Sequence, residues 1–388
     1  VRDQEKCILC GRCIRVCRMV RKGYATLAKI RAVYGKRLTN DDYNELLRRQ
    51  DVTEAAEYLK RNTHYSNTLA QIDTNTVHRE LLEVLIRRDR FEEYLRLCKF
   101  ERLFDDGGFY SYIIKESEVT EILSLIRHIN ANSGDDYISS MPSYLNQYSS
   151  FDYIGLAKVR SYGELLEFLK HTPYYDVLKN YISEDSRHPK YTDIEVGLRT
   201  YFFKWLLDAV HRNVKGKSAE ELETQIKIQI DFINIINSYR LKNYFNISAD
   251  EIEKDMLPFY GRLSKAQQHD LFMSADGEDF LRKVGKTVYG RQMADKNMDV
   301  SDLELGVRRM RYKYAKSAMC QTTEASVCLY SFMYLSFIEV SNVISIIEGI
   351  LADYRSKYSN NGDIRYQEFA KMRRSVTVLF FFVAAVFF

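Results

Sequence analysis

The chain contains 388 residues, of which 57 are basic and 53 acidic, so its formal net charge is only +4. This balance argues against a nucleic-acid-binding protein, and the sequence lacks the glycine-rich phosphate-binding motifs of P-loop and dinucleotide-binding proteins. Only 4 Pro and 17 Gly are present, with 46% hydrophobic and 28% charged residues. Few helix breakers in a chain of globular composition predict an all-α protein.

The N-terminal segment carries four cysteines in the spacing C-x-x-C-x-x-C-x-x-x-C, at Cys7, Cys10, Cys13 and Cys17. Bacterial-type ferredoxins hold iron–sulfur clusters with thiolates in this run. Residues 2–17 resemble the cluster-binding region of NADH dehydrogenase or formate dehydrogenase large subunits, and the resemblance implies a 4Fe-4S cofactor on these four cysteines. The proline usual after the fourth cysteine is Arg18 here, and no second cysteine run follows.

Two interpretations of residues 1–18 stay open. In one, the segment is a genuine cluster site, and the chain is an iron–sulfur electron-transfer protein with a helical docking body. In the other, which we favour, the segment is foreign and was joined to the protein by a fusion, so that the main body needs no cofactor. The odd total of seven cysteines predicts reduced thiols in a cytosolic setting.

Helix-start signals recur along the chain as an N-cap residue followed three positions later by an acid. In this spacing the cap side chain accepts from an exposed backbone amide, and the acid reaches back. The six predicted pairs are Thr39/Asp42, Asp51/Glu54, Ser161/Glu164, Ser218/Glu221, Ser248/Glu251 and Ser301/Glu304. No comparable run shows the alternating pattern of a strand.

Two short sequence signatures each occur three times. The first is an acid, an aromatic residue, Leu and a base, at residues 57–60, 167–170 and 279–282. The second is an acid, an apolar residue, any residue, Asn or Glu, and two apolar residues, at residues 118–123, 231–236 and 339–344. The first signature precedes the second by 61, 64 and 60 residues in turn. This constant phase predicts three similar helical units.

The predicted organisation follows from these repeats. We assign residues 19–135, 136–247 and 248–350 to helical repeats 1, 2 and 3, and residues 351–388 to a polar linker with a truncated apolar tail. Residues 327–350 are strongly apolar but contain Glu339, Asn342 and Glu348. Because charges in mid-bilayer are costly, this segment is predicted to be a buried or interfacial helix rather than a membrane span. The tail at residues 376–388 is too short to cross a bilayer.

Two sets of polar residues are candidate contact sites. Asp231/Asn234 and Glu339/Asn342 each lie three residues apart, hence on one helix face. They either contact a partner helix or, as we favour, form hydrogen bonds between helices of the same chain. Arg308, Arg309 and Arg311 form a basic patch with Lys313 and Lys316, which is either a solvated face or a contact for acidic loops of a partner.

Residues 23–350 resemble the C subunit of the V-type (archaeal and bacterial) ATP synthase family, whose counterpart in eukaryotic vacuolar pumps is the d subunit. The similarity is carried by residues 24–32, 38–39 and 51–59 near the start, residues 230–242 in the middle and residues 339–349 near the end. Their order and spacing, rather than one motif, make the resemblance.

The resemblance implies a funnel of three similar all-helical domains with pseudo-threefold symmetry. It also implies a non-catalytic central-stalk subunit, peripheral on the cytoplasmic face of the membrane, whose partners are the membrane rotor ring and the central-shaft subunits. A protein of this kind couples shaft rotation to proton or sodium transport. Besides the iron–sulfur protein, a generic helical scaffold stays open as an alternative.

Overall fold

The computed structural model describes residues 12–74, 76–101, 108–131, 141–181, 189–245, 247–293 and 300–358. Within helices, the side chains of residues 12–22, 100–101, 300–302 and 352–358 are left out of the description. The described residues form helices, turns and loops, and no strand occurs among them. The prediction of an all-α protein is therefore confirmed.

Fifteen α-helices lie in the described part of the chain. They are α1 (Arg12–Tyr34), α2 (Asn40–Leu47), α3 (Val52–Asn62), α4 (Arg79–Glu101), α5 (Tyr112–Ala131), α6 (Tyr153–Leu156), α7 (Tyr162–Leu169), α8 (Pro173–Leu178), α9 (Tyr191–Asn213), α10 (Lys217–Phe245), α11 (Ala249–Lys254), α12 (Lys265–Phe272), α13 (Gly277–Lys286), α14 (Val300–Gln321) and α15 (Ala325–Tyr358). Long helices thus alternate with three groups of short ones, which are α2–α3, α6–α8 and α11–α13.

The predicted helix starts are mostly confirmed. Thr39, Asp51, Ser161 and Ser248 are N-caps whose side chains accept from the backbone amide three residues later. The prediction for Ser218 is wrong, because α10 already begins at Lys217, directly after Gly216 with its left-handed φ of 60°. The side chain of Ser301 lies outside the described residues.

The long helices form the centre of the fold, with α15 at its middle. Helix α15 packs against α1, α4, α10 and α14, while α9 packs against α5, α8 and α10. Each group of short helices shares an apolar core with a long helix: α2–α3 with the second half of α15, α6–α8 with α5 and α9, and α11–α13 with α10 and α14. Burial of these apolar faces is the main term that stabilises the short helices.

The apolar segment of α15 lies inside the protein. Residues Ala325–Leu351 are long and apolar enough to cross a membrane by length and composition, but 78% of their most apolar window is buried in the fold. This agrees with the prediction of a buried helix. The predicted division into units at 135/136 falls outside the described residues, and that at 247/248 falls between α10 and α11. The division stays a prediction.

Candidate functional site

Three buried carboxylates tie the short helices to the long ones. Glu118, Asp231 and Glu339 are the first residues of the three second signatures, and they are only 1%, 0% and 5% exposed. An unpaired buried carboxylate is costly, so each must find donors within the fold. In all three cases the donors include backbone N–H groups of a nearby loop and the hydroxyl of a buried tyrosine.

Glu118 on α5 holds the group α6–α8. Its carboxylate accepts from the backbone N–H of Ser150 at 2.5 Å and from the Ser149 hydroxyl at 2.7 Å. The hydroxyl of Tyr174 on α8 donates to its other oxygen at 2.5 Å. The buried Tyr174 ring lies against the same core, so one carboxylate fixes both ends of the group.

Asp231 on α10 holds the group α11–α13 in the same way. The backbone N–H groups of residues 261, 262 and 263 donate to it at 2.7–3.1 Å, and the Tyr289 hydroxyl donates at 2.7 Å. One turn further on, Asn234 donates to the carbonyl of Leu257 and accepts from the N–H of the same residue. The interpretation of this polar pair as hydrogen bonds within the chain is confirmed.

Glu339 on α15 binds residues from the beginning of the chain. It accepts from the N–H of Leu38 at 2.9 Å, the Tyr65 hydroxyl at 3.0 Å, Arg37 at 2.9 Å and His64 at 2.7 Å. Burial alone would raise the pKa of Glu339, but the charge of Arg37 and the bond from His64 lower it to about 2. The carboxylate is therefore ionised throughout the neutral range.

These bonds connect the two signatures differently from their order in the sequence. The tyrosines that bind Glu118 and Asp231 follow the first signatures at 167–170 and 279–282, while Tyr65 follows the one at 57–60. Glu118 and Asp231 therefore bind the group of short helices that follows them in the chain. Glu339, the last of the three, binds the first group, α2–α3. In the sequence analysis, by contrast, each first signature was grouped with the second signature that follows it 60–64 residues later.

The predicted basic patch on α14 does not form one surface. Successive residues of an α-helix point about 100° apart, and accordingly Arg309 is exposed while Arg311 is only 9% exposed. Nε of Arg311 donates to Gln229 Oε1 at 2.7 Å, and its guanidinium lies over the Tyr334 ring. Partner contact through all three arginines stays a prediction, but Arg311 already has its partners within the fold.

Arg308 belongs to the interior side of the same helix. Its side chain is 11% exposed and lies 3.7 Å from a carboxylate oxygen of Glu304. Burial lowers the pKa of Arg308 to about 10, and the neighbouring charges of Arg240 and Arg311 act in the same direction although Glu304 opposes them. The interior face of α14 thus carries two arginines, Arg308 and Arg311, with Glu304 beside the first.

Two further arginines, which the sequence analysis missed, act on the same region. Burial raises the pKa of Glu116 on α5, while the charges of Arg90 on α4, Arg199 on α9 and Arg311 on α14 oppose that rise. Arg199 is paired with Glu195 at 2.7 Å. We call Arg90, Arg199, Arg308, Arg311 and Glu116 the central arginine cluster. Arg90, Arg199 and Arg311 precede the three second-signature acids by 28, 32 and 28 residues, and this spacing is the signal that could have identified them.

The predicted iron–sulfur ligands are not placed by the structure. Cys7 and Cys10 lie outside the described residues, and Cys13 and Cys17 lie on α1 where side chains are not described. Among the side chains that are described, no group of three or more His, Cys, Asp or Glu is arranged to hold a metal ion.

Among the described residues, fold and site together define an all-helical protein in which buried carboxylates tie groups of short helices to long ones. Residues 26–361 match the family described as ATP synthase (C/AC39) subunit, and the chain belongs to this family. The resemblance found in the sequence is thereby confirmed. Residues 1–19 match the family described as 4Fe-4S binding domain.

Curated relatives agree with this assignment. The C subunit of the A-type ATP synthase of Methanosarcina mazei is 24% identical over 231 residues, which are 58% of this chain and 60% of the relative. That of Methanosarcina barkeri is 23% identical over the same length and coverage. The chain therefore spans about 60% of the length of these two relatives. The corresponding A-type ATP synthase protein of Methanococcoides burtonii is 21% identical over 342 residues, which are 86% of this chain and 92% of the relative.

Proposed function

We propose that the chain is a non-catalytic central-stalk subunit of a V-type or A-type ATP synthase, which couples the rotating shaft to the membrane rotor ring during proton or sodium transport. The family match over residues 26–361 carries this proposal. Its partners are the central-shaft subunits and the rotor ring, on the cytoplasmic face of the membrane. Nucleic acid is not a partner.

The internal bracing suits a part that transmits torque. A coupling element must resist twisting, and closely packed interiors are stiff. Here the packing is supplemented by three buried carboxylates, Glu118, Asp231 and Glu339, each of which binds a loop and a tyrosine of a neighbouring helical group. We propose that the three groups form the pseudo-threefold funnel implied by the resemblance.

Affinity capture tests the proposal. The tagged full chain is used to recover partners from solubilised native membranes, and the partners are identified by mass spectrometry. We expect the central-shaft subunits and the rotor ring to be recovered together, and recovery to weaken as ionic strength rises because polar complementarity contributes to such contacts. Recovery of dehydrogenase subunits alone, or failure to recover any part of an ATP synthase, contradicts the proposal.

A second candidate function rests on the match of residues 1–19 to a 4Fe-4S binding domain. In this proposal Cys7, Cys10, Cys13 and Cys17 hold the cluster, which supplies one-electron transfer when bound. Protein purified without oxygen should then be brown and contain close to four iron atoms per chain. Cys10→Ser should lose the iron, whereas the matched control Cys320→Ser, at an exposed cysteine, should keep it. Iron-free protein contradicts this second function.

A further inference from the structure

A histidine lies between two buried carboxylates in the turn that follows α3. His64 begins the short 3₁₀ turn His64–Ser66. Its Nε2 lies 2.7 Å from Glu339 Oε1 on α15, and its Nδ1 lies 3.9 Å from Asp89 Oδ2 on α4. The side chains of these three residues are at most 13% exposed. Thr68, four residues further on, donates to the other oxygen of Asp89 at 2.5 Å. One imidazole ring therefore faces a carboxylate on each side.

Only the protonated form of this ring can donate to both carboxylates. A neutral imidazole has one N–H donor and one acceptor nitrogen, whereas the imidazolium has two donors. Although burial opposes it, the charge of Arg37 and the bond from His64 lower the pKa of Glu339 to about 2, so Nε2 of His64 must donate to an ionised carboxylate. In a neutral ring the lone pair of Nδ1 would then face Asp89, and the two would repel each other.

The charges in direct contact also favour an imidazolium. Arg37 lies 2.9 Å from Glu339 and 3.1 Å from Glu93, so that Arg37 is shared between two carboxylates while Asp89 faces the ring. We call Arg37, His64, Asp89, Glu93 and Glu339 the His64 network. Among these five side chains, three carboxylates meet one arginine. A proton on His64 supplies the second positive charge.

The remaining charges around the ring lie in a polar pocket of about 440 Å³, which His64 and Asp89 help to line. Water in this pocket can exchange the proton of the ring. Four further charged side chains line the same pocket, namely Lys29, Lys36, Glu92 and Arg96. The three bases are exposed, so solvent and salt screen their repulsion of the ring. Glu92 is paired with Arg88 at 2.7 Å.

Helix α2 and the turn itself contribute three more titratable groups that act on Glu339. Burial raises the pKa of Tyr43 and of Tyr65, so both hydroxyls stay neutral. Burial also opposes ionisation of Asp42, but hydrogen bonds to its carboxylate lower its pKa overall, so it stays ionised. None of these groups changes its charge in the neutral range, whereas histidine is the side chain that ordinarily does so between about pH 5 and 8.

We infer that His64 is a pH-dependent link, whose protonated ring holds the turn after α3 to both α4 and α15 and whose loss of a proton weakens this attachment. Opening of the turn releases the ring from both carboxylates, so the closed form binds the proton more tightly than the open form. The contribution to stability is therefore fully present at the acid end of the neutral range and is lost as the pH rises. This property belongs to the fold of the chain and does not rest on the proposed function.

Native-state hydrogen exchange of the purified full chain at pH 6 and pH 8.5 tests the link. Protection factors, corrected for the intrinsic exchange rate at each pH, report the opening of each segment. Protection of residues 52–66 should fall by about threefold or more between the two pH values. Residues 153–178, which Glu118 holds without a histidine, are the internal control and should show no such fall.

Three variants of the full chain sharpen the test. His64→Gln keeps an amide N–H that can donate to Glu339 but cannot take up a proton, so the change of protection with pH should disappear. Asp89→Asn removes the second carboxylate and should make the change smaller. His171→Gln, at an exposed histidine between α7 and α8, is the matched control and should keep the full change.

A second measurement observes the ring itself. In the full chain labelled with ¹⁵N in its histidines, both ring nitrogens of His64 should carry a proton at pH 6, and one of them should have lost it at pH 8.5. The His64 signals are assigned as those missing from His64→Gln or, if that variant does not fold, as those shifted most by Asp89→Asn.

Three results would each overturn the inference. The first is a His64 ring that is neutral at pH 6 or still charged at pH 8.5. The second is protection of residues 52–66 that does not change with pH beyond the change in residues 153–178. The third is a His64→Gln variant that folds and keeps the pH dependence of the unmodified chain.

Discussion

Glu339 is a buried carboxylate that accepts hydrogen bonds from neutral donors and also faces a buried arginine. Glu118 and Asp231 accept mainly from neutral donors, whereas Glu339 also faces Arg37 and His64. Arg37 in turn pairs with Glu93 at 3.1 Å. Breaking a buried pair by removing one member leaves the other charge without compensation. Glu339 should therefore be the most sensitive of the three carboxylates to loss of charge.

The stability contributed by Glu339 should depend on pH in a defined direction. Its pKa is lowered in the fold from an ordinary value of 4.5 to about 2, so the ionised form is stabilised by folding. This stabilisation is fully present above about pH 4.5 and is lost as the pH falls towards 2. Glu339→Gln should lower the free energy of unfolding by about 3 kcal/mol at pH 7, and the difference should shrink below pH 4.5.

Urea unfolding at several pH values measures this difference. The matched control is Glu167→Gln, which changes an acid whose side chain is 74% exposed and should alter stability little at any pH. If the free energies of unfolding of Glu339→Gln and the unmodified chain differ by the same amount at pH 7 and pH 3, the pKa of Glu339 is not lowered in the fold.

At the scale of the element, the loop before α12 is shaped by the approach of its backbone to Asp231. A Cβ added to Gly261 would lie 2.6 Å from Asp231 Oδ2 and 2.7 Å from the carbonyl oxygen of Lys227. Both distances are too short for real contacts, so the loop would have to move away from the carboxylate. Only glycine allows the N–H groups of residues 261–263 to reach Asp231 together.

Alanine substitutions at two glycines should therefore have opposite effects. Gly261→Ala should destabilise the protein by about 1–3 kcal/mol through overpacking. Gly163→Ala, in the exposed first turn of α7 with nothing within 4 Å of the added Cβ, should stabilise it by about 0.5–1 kcal/mol through helix propensity. The midpoint of denaturant unfolding measures both changes in stability. If Gly261→Ala and Gly163→Ala change stability equally and in the same direction, the loop at Gly261 is not constrained by Asp231.

Features of single helices could be predicted from the sequence, whereas contacts between helices mostly could not. Caps such as Thr39 and buried polar pairs such as Asp231/Asn234 were predictable, because local spacing fixes both helix starts and helix faces. The central arginine cluster was predictable only in part. The spacing of Arg90, Arg199 and Arg311 from the second-signature acids marks the arginines, but their proximity to Glu116 arises from packing between helices distant in sequence. Closeness in sequence suggested that Arg308, Arg309 and Arg311 form one basic patch. They lie on different sides of α14, because successive residues of a helix point in different directions.

At the scale of the whole molecule, three long helices fix the short helices through their buried carboxylates. Helix α5 fixes α6–α8, α10 fixes α11–α13, and α15 fixes α2–α3. Removing a carboxylate should therefore loosen one group selectively. In native-state hydrogen exchange, Glu118→Ala should increase exchange mainly in residues 153–178, and Glu339→Ala mainly in residues 40–66, because local opening follows lost contacts. The group α11–α13 serves as the internal control in both variants. Uniform loosening would show that the three groups do not depend on separate carboxylates.

The bond network of Glu339 also determines the order in which the protein can mature during synthesis. Helices α2 and α3 leave the ribosome early, but α15, near the other end of the chain, completes their core and accepts hydrogen bonds from Leu38 and Tyr65, which lie beside these two helices. The first group of helices must therefore wait for almost the whole polypeptide before it is stably folded. A chain that ends before α15 should therefore leave this group open to proteases.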